Sequence, residues 1–294
     1  MSRHDINLDL FFSNHQERDV QYNARATVAD FSVFVKIYAD LSQAAANSLP
    51  CRLDVAYGDT MFEKIDIFHA PPNAQGNPVL IYLHGGYWRA LSRKDSAFMA
   101  QSWTRRGVSV VAIEYALAPD ASLEQIVGQC RSAIAHIYHH APDYGINRDR
   151  MHIAGSSAGG HLCAMLLTDG WQESHALPGD VIKSASMLSG LFDIRPLCDS
   201  HINEWMKLTP QCAASLSPAL LKLSVHAPVL LAVGALETQG FQRQTAAFAD
   251  TLHRAGAQVE TLTVEDRHHF DIVLDMNEVG SAVTQAMWRL IAAA

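Results

Sequence analysis

Gly155-Ser156-Ser157-Ala158-Gly159 sets a serine between two glycines in a G-x-S-x-G pattern. A serine hydroxyl is a weak nucleophile until it is exposed and partnered by a base. A sharp strand-to-helix turn exposes it, and such a turn leaves no room for side chains at the flanking positions. The context fits: the buried-strand pattern Met151 to Ala154 comes before, and a helical pattern from His161 to Thr168 follows. The framing glycines select Ser157 over its neighbour Ser156.

His84-Gly85-Gly86-Tyr87-Trp88 comes directly after the apolar run Val79 to Leu83. Acyl transfer passes through a tetrahedral oxyanion that needs preorganised N–H donors. Consecutive glycines let a backbone turn its amides toward one point, so this segment is the candidate donor. Fifteen histidines are present, so chain order decides the base. In the expected order of serine, acid, histidine, the candidates are His253, His268 and His269. His253 falls inside a helical pattern. His269 is favoured and His268 competes, both in the loop after the last predicted strand. The acid fixes the imidazole tautomer and stabilises the imidazolium. Glu237, just beyond the strand Val229 to Val233, is the candidate; Asp193, Asp266 and Asp271 stay open. The histidines lack metal-ligand spacing such as H-E-x-x-H, so neither metal nor other cofactor is expected.

Alternating strands and helices must position these groups. Val28 to Leu49 carries Val28, Phe31, Val35, Tyr38 and Leu41 at helical spacing. Arg52 to Tyr57, with Leu53, Val55 and Tyr57 on one face, and Lys64 to His69 read as a hairpin around Gly58-Asp59-Thr60. Val79 to Leu83, Val108 to Ile113, Met151 to Ala154, Ala185 to Leu188 and Val229 to Val233 suit strands buried on both faces, with Val259 to Val264 the last. Helices are expected over Lys94 to Arg106, Leu123 to His139, His161 to Thr168, Phe241 to Ala255 and Val279 to Ala293. This alternation predicts an α/β class: a mostly parallel twisted sheet with helices on both faces. One domain over residues 1–294 is expected, with residues 1–50 as a helical cap-like region. Asp193 to Lys222 breaks the rhythm and is the candidate lid.

The net charge of −8 disfavours a nucleic-acid or anionic-membrane surface. Met1 to Leu10 lacks the apolar core of a secretory signal, and no run approaches the ~20 apolar residues of a membrane span. Five cysteines with scattered spacing suggest neither a disulfide framework nor a zinc site. A cytoplasmic location is expected. The partners are a small-molecule ester or formamide, with a homodimer as the assembly to test.

Together, these motifs resemble the arylformamidase (kynurenine formamidase) branch of the esterase/lipase α/β-hydrolases. The likeness rests on the H-G-G-x-W segment and on Tyr57-Gly58-Asp59, Glu63 to Ile67, Lys94 to Met99, Ser189 to Asp193 and His269-Phe270-Asp271. It implies Ser157 as nucleophile, His269 as base, and the amides of Gly86, Tyr87 and Ala158 as an oxyanion hole. Two departures stand out: Ser156 replaces the family's frequent histidine, and Glu237 takes the place of the usual Asp. The implied activity is carboxylic ester hydrolysis through an acyl-enzyme, with aryl-formamidase activity. A dedicated formamidase is the alternative, and a ligand-binding module on a disarmed hydrolase is disfavoured because every triad position can be filled. Trp88, beside the glycines, and Trp205, in the candidate lid, are expected to wall the substrate pocket.

Overall fold

The computed structural model describes residues 9–223 and 226–294, so the reading of Met1 to Leu10 lies almost wholly outside the described residues. Eight strands form one sheet: β1 (Cys51–Ala56), β2 (Lys64–Phe68), β3 (Asn77–Leu83), β4 (Ser109–Ile113), β5 (Ile146–Ser156), β6 (Ser184–Leu188), β7 (Val229–Gly234) and β8 (Val259–Val264). Their order is β1-β2-β4-β3-β5-β6-β7-β8. All pairings from β4 to β8 are parallel, while β2 is antiparallel to both β1 and β4. This is the α/β-hydrolase fold.

The central strands are buried on both faces because both of their side-chain sets are apolar. On β3, Val79, Ile81 and Leu83 join one core cluster while Leu80 and Tyr82 join the other. Successive side chains on a strand point to opposite faces, so an uninterrupted apolar run feeds two cores. The edge hairpin obeys a different rule. Asp54 takes a positive φ of 58° and donates its N–H to Asp66 Oδ1 at 2.7 Å, which bulges β1 between Arg52 and Val55. The bulge breaks the expected shared face of Leu53, Val55 and Tyr57, and Leu53 is left exposed.

Helix ends follow their caps. The Leu123–His139 helix begins on a capping box in which Ser122 and Gln125 satisfy each other's backbone N–H. The last helix starts at Ala282 rather than Val279, because Ser281 Oγ accepts from Thr284 N. The expected helix over Lys94 to Arg106 is a correction: only a 3₁₀ turn at Arg93–Asp95 and a short helix at Ala100–Thr104 form. Arg93 is drawn into a buried ion cluster, and Ala97 donates its N–H to Ser42 Oγ of the Ser32–Ser48 helix instead of to a helical ladder.

Two histidines are carried in the core as neutral rings. His152, on β5, meets Ser184 Oγ at 2.8 Å, and His161 donates Nε2–H to the Leu216 carbonyl at 2.7 Å. Burial pushes their pKa values down, to about 3 and about 4 respectively. Both lie below the unfolded value of ~6.5, so unfolding takes up protons on acidification. The stability these neutral rings contribute is therefore present above about pH 6.5 and lost as pH falls through the folded values. His161 alone is worth about 3 kcal/mol over that window. Urea midpoints measured from pH 7.5 down to about 4 are expected to fall steeply, and His161→Gln to reduce the slope. An unchanged slope in that variant would remove His161 from the account.

Candidate active site

Four loops at the C-terminal ends of parallel strands meet at one edge of the sheet. β3 delivers His84 to Trp88, β5 delivers Ser157, β7 delivers Glu237 and β8 delivers His269. Open α/β sheets place their ligand crevices at this end.

Ser157 has φ 57° and ψ −118°, a strained conformation between β5 and the Ala158–Leu166 helix. Its N–H is held by the Leu188 carbonyl of β6 at 2.8 Å. The two glycines are explained by collision. A Cβ at Gly155 would strike the Gly159 carbonyl oxygen, and one at Gly159 would strike that of Leu83 at the end of β3. The turn is thus wedged against the strand that carries the glycine-rich segment.

His269 Nδ1 lies 2.6 Å from Glu237 Oε2, with both side chains almost wholly buried. An ionised carboxylate only accepts, so Nδ1 carries the proton and Nε2 keeps its lone pair. Glu237 is itself fixed: its Oε1 accepts from the hydroxyl of Ser189 and from Gly234 N at 2.8 Å. The other candidates are engaged elsewhere. His268 pairs with Asp271 at 3.4 Å and packs edge-on to Phe34. Asp193 takes Arg195 at 2.6 Å, and Asp266 sits exposed in a turn with φ 56°.

Gly86, Tyr87 and Trp88 all have positive φ, at 94°, 51° and 56°. For the two aromatic residues this costs roughly 1–2 kcal/mol each, so the surroundings must hold them. Tyr87 donates its hydroxyl to the Tyr22 carbonyl, Trp205 Nε1 donates to the Tyr87 carbonyl at 3.3 Å, and Ala118 N donates to the Trp88 carbonyl at 2.7 Å. These bonds use the carbonyls and a side chain. Among the described residues, the amides of Gly86, Tyr87 and Ala158 have no protein acceptor.

Ser157, His269, Gly85, Gly86 and Tyr87 line one cavity of about 380 Å³. Its apolar wall comes from Phe31, Val35, Tyr38, Phe98, Phe270 and Val273. Trp88 and Trp205, expected as walls, do not line it. Trp88 is completely buried in a T-shaped contact with His161, and Trp205 makes a T-shaped contact with Tyr87, whose carbonyl it also bonds. No residue of 193–222 lines the cavity either; residues 24–38 provide the cover instead.

The BD-FAE family model matches residues 65–201. Kynurenine formamidase of Danio rerio is 30% identical over 247 residues, which cover 81% of each chain, and that of Salmo salar is 31% identical with the same coverage. The chain belongs to the kynurenine formamidase family. It is a hydrolase, like the members it resembles. A solved protein of Silicibacter sp. TM1040 superposes with a TM-score of 0.79 at 26% identity, covering 92% of this chain and 98% of its own. Esterase B of Lactobacillus rhamnosis shares the fold at a TM-score of 0.69 and 16% identity, covering 92% of this chain and 95% of its own.

Behind the glycine-rich segment of this formamidase-family site lies a cluster that the sequence reading missed. Buried Arg93 contacts Asp66 at 3.0 Å and Glu114 at 3.1 Å, and also pairs with Asp54. Burial lowers its pKa, but the three carboxylates outweigh that effect and raise it. Glu114 reaches on to His84 Nε2 at 3.5 Å, and His84 stacks on Tyr115 with centroids 4.0 Å apart. The Tyr115 hydroxyl donates to the His84 carbonyl at 2.7 Å. An ionic cluster thus joins the edge hairpin to Glu114, whose carboxylate lies beside the first residue of the segment without a hydrogen bond to its ring. Its members are spread from residue 54 to residue 115, so no local spacing marks it. The apolar face at Phe31, Val35 and Tyr38 was readable as a helix stripe in a cap-like region, but the packing of Phe31 on Phe270 beside His269 was not.

Proposed function

We propose that this formamidase-family chain is a serine carboxylic ester hydrolase that works through an acyl-enzyme and also accepts aryl formamides. The observation that carries the reading is the 2.6 Å Glu237–His269 contact beside a strained Ser157 in one cavity. His269 Nε2 takes the Ser157 proton as Oγ bonds to the substrate carbonyl carbon. The amides of Gly86, Tyr87 and Ala158 receive the oxyanion. As the carbon–oxygen or carbon–nitrogen bond breaks, His269 returns its proton to the leaving group. A water then attacks the acyl carbon with His269 again as base, releasing the acid and restoring Ser157. A dedicated formamidase is the second reading, favoured by the names of the zebrafish and salmon relatives.

We take residues 1–294 as one domain, with the first fifty as its cap, acting on a small-molecule ester or formamide in the cytoplasm. Among the described residues no helix is long and apolar enough to cross a membrane. A fluorophosphonate probe is expected to label Ser157 and to stop hydrolysis; an unlabelled, inert protein would favour a binding module. A cavity of about 380 Å³ suits short acyl chains on aromatic leaving groups. Along p-nitrophenyl esters from acetate to palmitate, kcat/KM is expected to decline beyond about C4–C6, each rejected methylene being worth ~1–3 kcal/mol. A maximum at about C10 or longer would refute the small-pocket reading. Turnover of N-formylkynurenine far above that of aryl acetates would favour the dedicated formamidase.

A further inference from the structure

A second cavity, of about 530 Å³, lies at the opposite end of the sheet from Ser157. Asn77 and Pro78, where β3 begins, and Gly107, just before β4, belong to its wall. The length of β3, ~20 Å, therefore separates it from the catalytic crevice. Arg106 and Arg150 both line this cavity, and none of its lining residues is Asp or Glu. The chain as a whole carries a net charge of −8, so the absence of carboxylates here is local.

Neither arginine makes an ion pair among the described residues, and each has one protein acceptor there. Arg106 Nη2 donates to the Val279 carbonyl at 3.2 Å, and Arg150 Nη2 to the Ile291 carbonyl at 2.8 Å. A guanidinium presents five N–H groups, and Arg106 Nη1 and Arg150 Nε are buried without any partner. Carbonyl oxygens are neutral, so two positive charges stay uncompensated. Their field reaches into the sheet: after burial, the Arg150 charge is the largest cause lowering the pKa of His152 on β5. The rest of the wall is largely apolar, with Pro71, Pro72, Pro78 and Trp288, whose ring centre lies 5.8 Å from the Arg106 guanidinium.

Two guanidiniums match a doubly charged oxyanion, because their planar forks pair with carboxylate or phosphate oxygens. A phosphate monoester carries about −1.5 to −2 at neutral pH and three acceptor oxygens. The space exceeds one phosphate and falls among small-molecule sites, which run from roughly 300 to 1,000 Å³. We propose that this cavity is a second ligand site, where Arg106 and Arg150 hold the phosphate of a small organic monoester and Trp288 and the prolines take its apolar body. It stands apart from the triad and does not depend on the esterase reading.

Phenyl phosphate is the probe, titrated calorimetrically into the full chain at about pH 7.5, where it is a dianion. Arg106→Gln and Arg150→Gln are each expected to weaken binding about ten- to a hundred-fold. Asn73→Asp tests the same field without disturbing packing. Asn73 lines the cavity, is exposed, and its Oδ1 accepts from Gln75 N at 3.0 Å, a bond that aspartate keeps. The added charge is expected to weaken binding roughly three- to ten-fold while p-nitrophenyl acetate turnover stays at the wild-type rate. Phenyl sulfate, of the same shape with a single charge, is expected to bind about ten-fold more weakly, and ~0.5 M NaCl to weaken both. No binding of phenyl phosphate to wild type up to about 10 mM, by calorimetry and ligand-observed NMR, overturns the proposal. So does an affinity left unchanged by Asn73→Asp and by both glutamine variants. Phenyl sulfate binding as tightly as phenyl phosphate overturns the choice of a dianion.

Discussion

Ser157→Ala is expected to abolish ester hydrolysis, by on the order of 10⁶ in kcat, while the protein stays folded. Among the described residues, Ser157 is the serine that lines the cavity with His269 from a strained strand-to-helix turn; Ser156 shares the cavity but not the strained backbone, and Ser156→Ala is expected to be mild. The backbone at 157 gives this prediction a second arm. At φ 57° a serine and an alanine bear the same strain, whereas glycine bears little. Ser157→Gly should therefore be as inactive as the alanine variant yet unfold at higher urea, by about 1 kcal/mol of stability. Thermal and urea melts beside a p-nitrophenyl acetate assay read both effects. Wild-type turnover in purified Ser157→Ala would end the nucleophile assignment.

Glu237→Gln is expected to cut kcat about 10⁴-fold with only a small change in melting temperature. The reason is tautomeric. Ser189 and Gly234 both donate to one oxygen of Glu237, so the glutamine carbonyl takes that position and its NH₂ turns toward His269. Nδ1 must then accept, the ring proton moves to Nε2, and the lone pair that should take the Ser157 proton is gone. Asp271→Asn, which touches His268 rather than His269, is expected to stay within a few-fold of wild type. A dead Asp271→Asn beside an active Glu237→Gln would move the acid to residue 271.

Much of the sheet was legible because its strands are continuous apolar runs between turn residues; Val259 to Val264 and Leu123 to His139 coincide with their expected bounds. The catalytic candidates were legible because strand-end position and chain order constrain them. What escaped depends on contacts between distant segments. The helix pattern at Lys94 to Arg106 yields to Arg93's pull toward Asp66 and Glu114, which no window around residue 100 contains. Trp88 and Trp205 looked like pocket walls from their neighbours in sequence, but the positive φ at residues 86–88 turns Trp88 into the core. Cover was expected from residues 1–50 and from 193–222; no residue of 193–222 lines the cavity, whereas the Ser32–Ser48 helix reaches the site through Tyr38, whose hydroxyl donates to the Phe270 carbonyl next to His269.

The ionic cluster behind His84 sets two kinds of selection against each other. Charges withdrawn from water return little net stability, and apolar residues of similar volume in their place are often neutral or stabilising by ~1–4 kcal/mol. A library randomised together at Asp66, Arg93 and Glu114 and sorted for heat resistance is thus expected to drift toward Met, Leu and Val. The same library sorted for turnover is expected to keep the charges, because they steady the segment proposed to receive the oxyanion. If both sorts converged on apolar residues, the cluster would serve folding history rather than chemistry. Divergence would identify these three positions as places where this fold gives up robustness for rate.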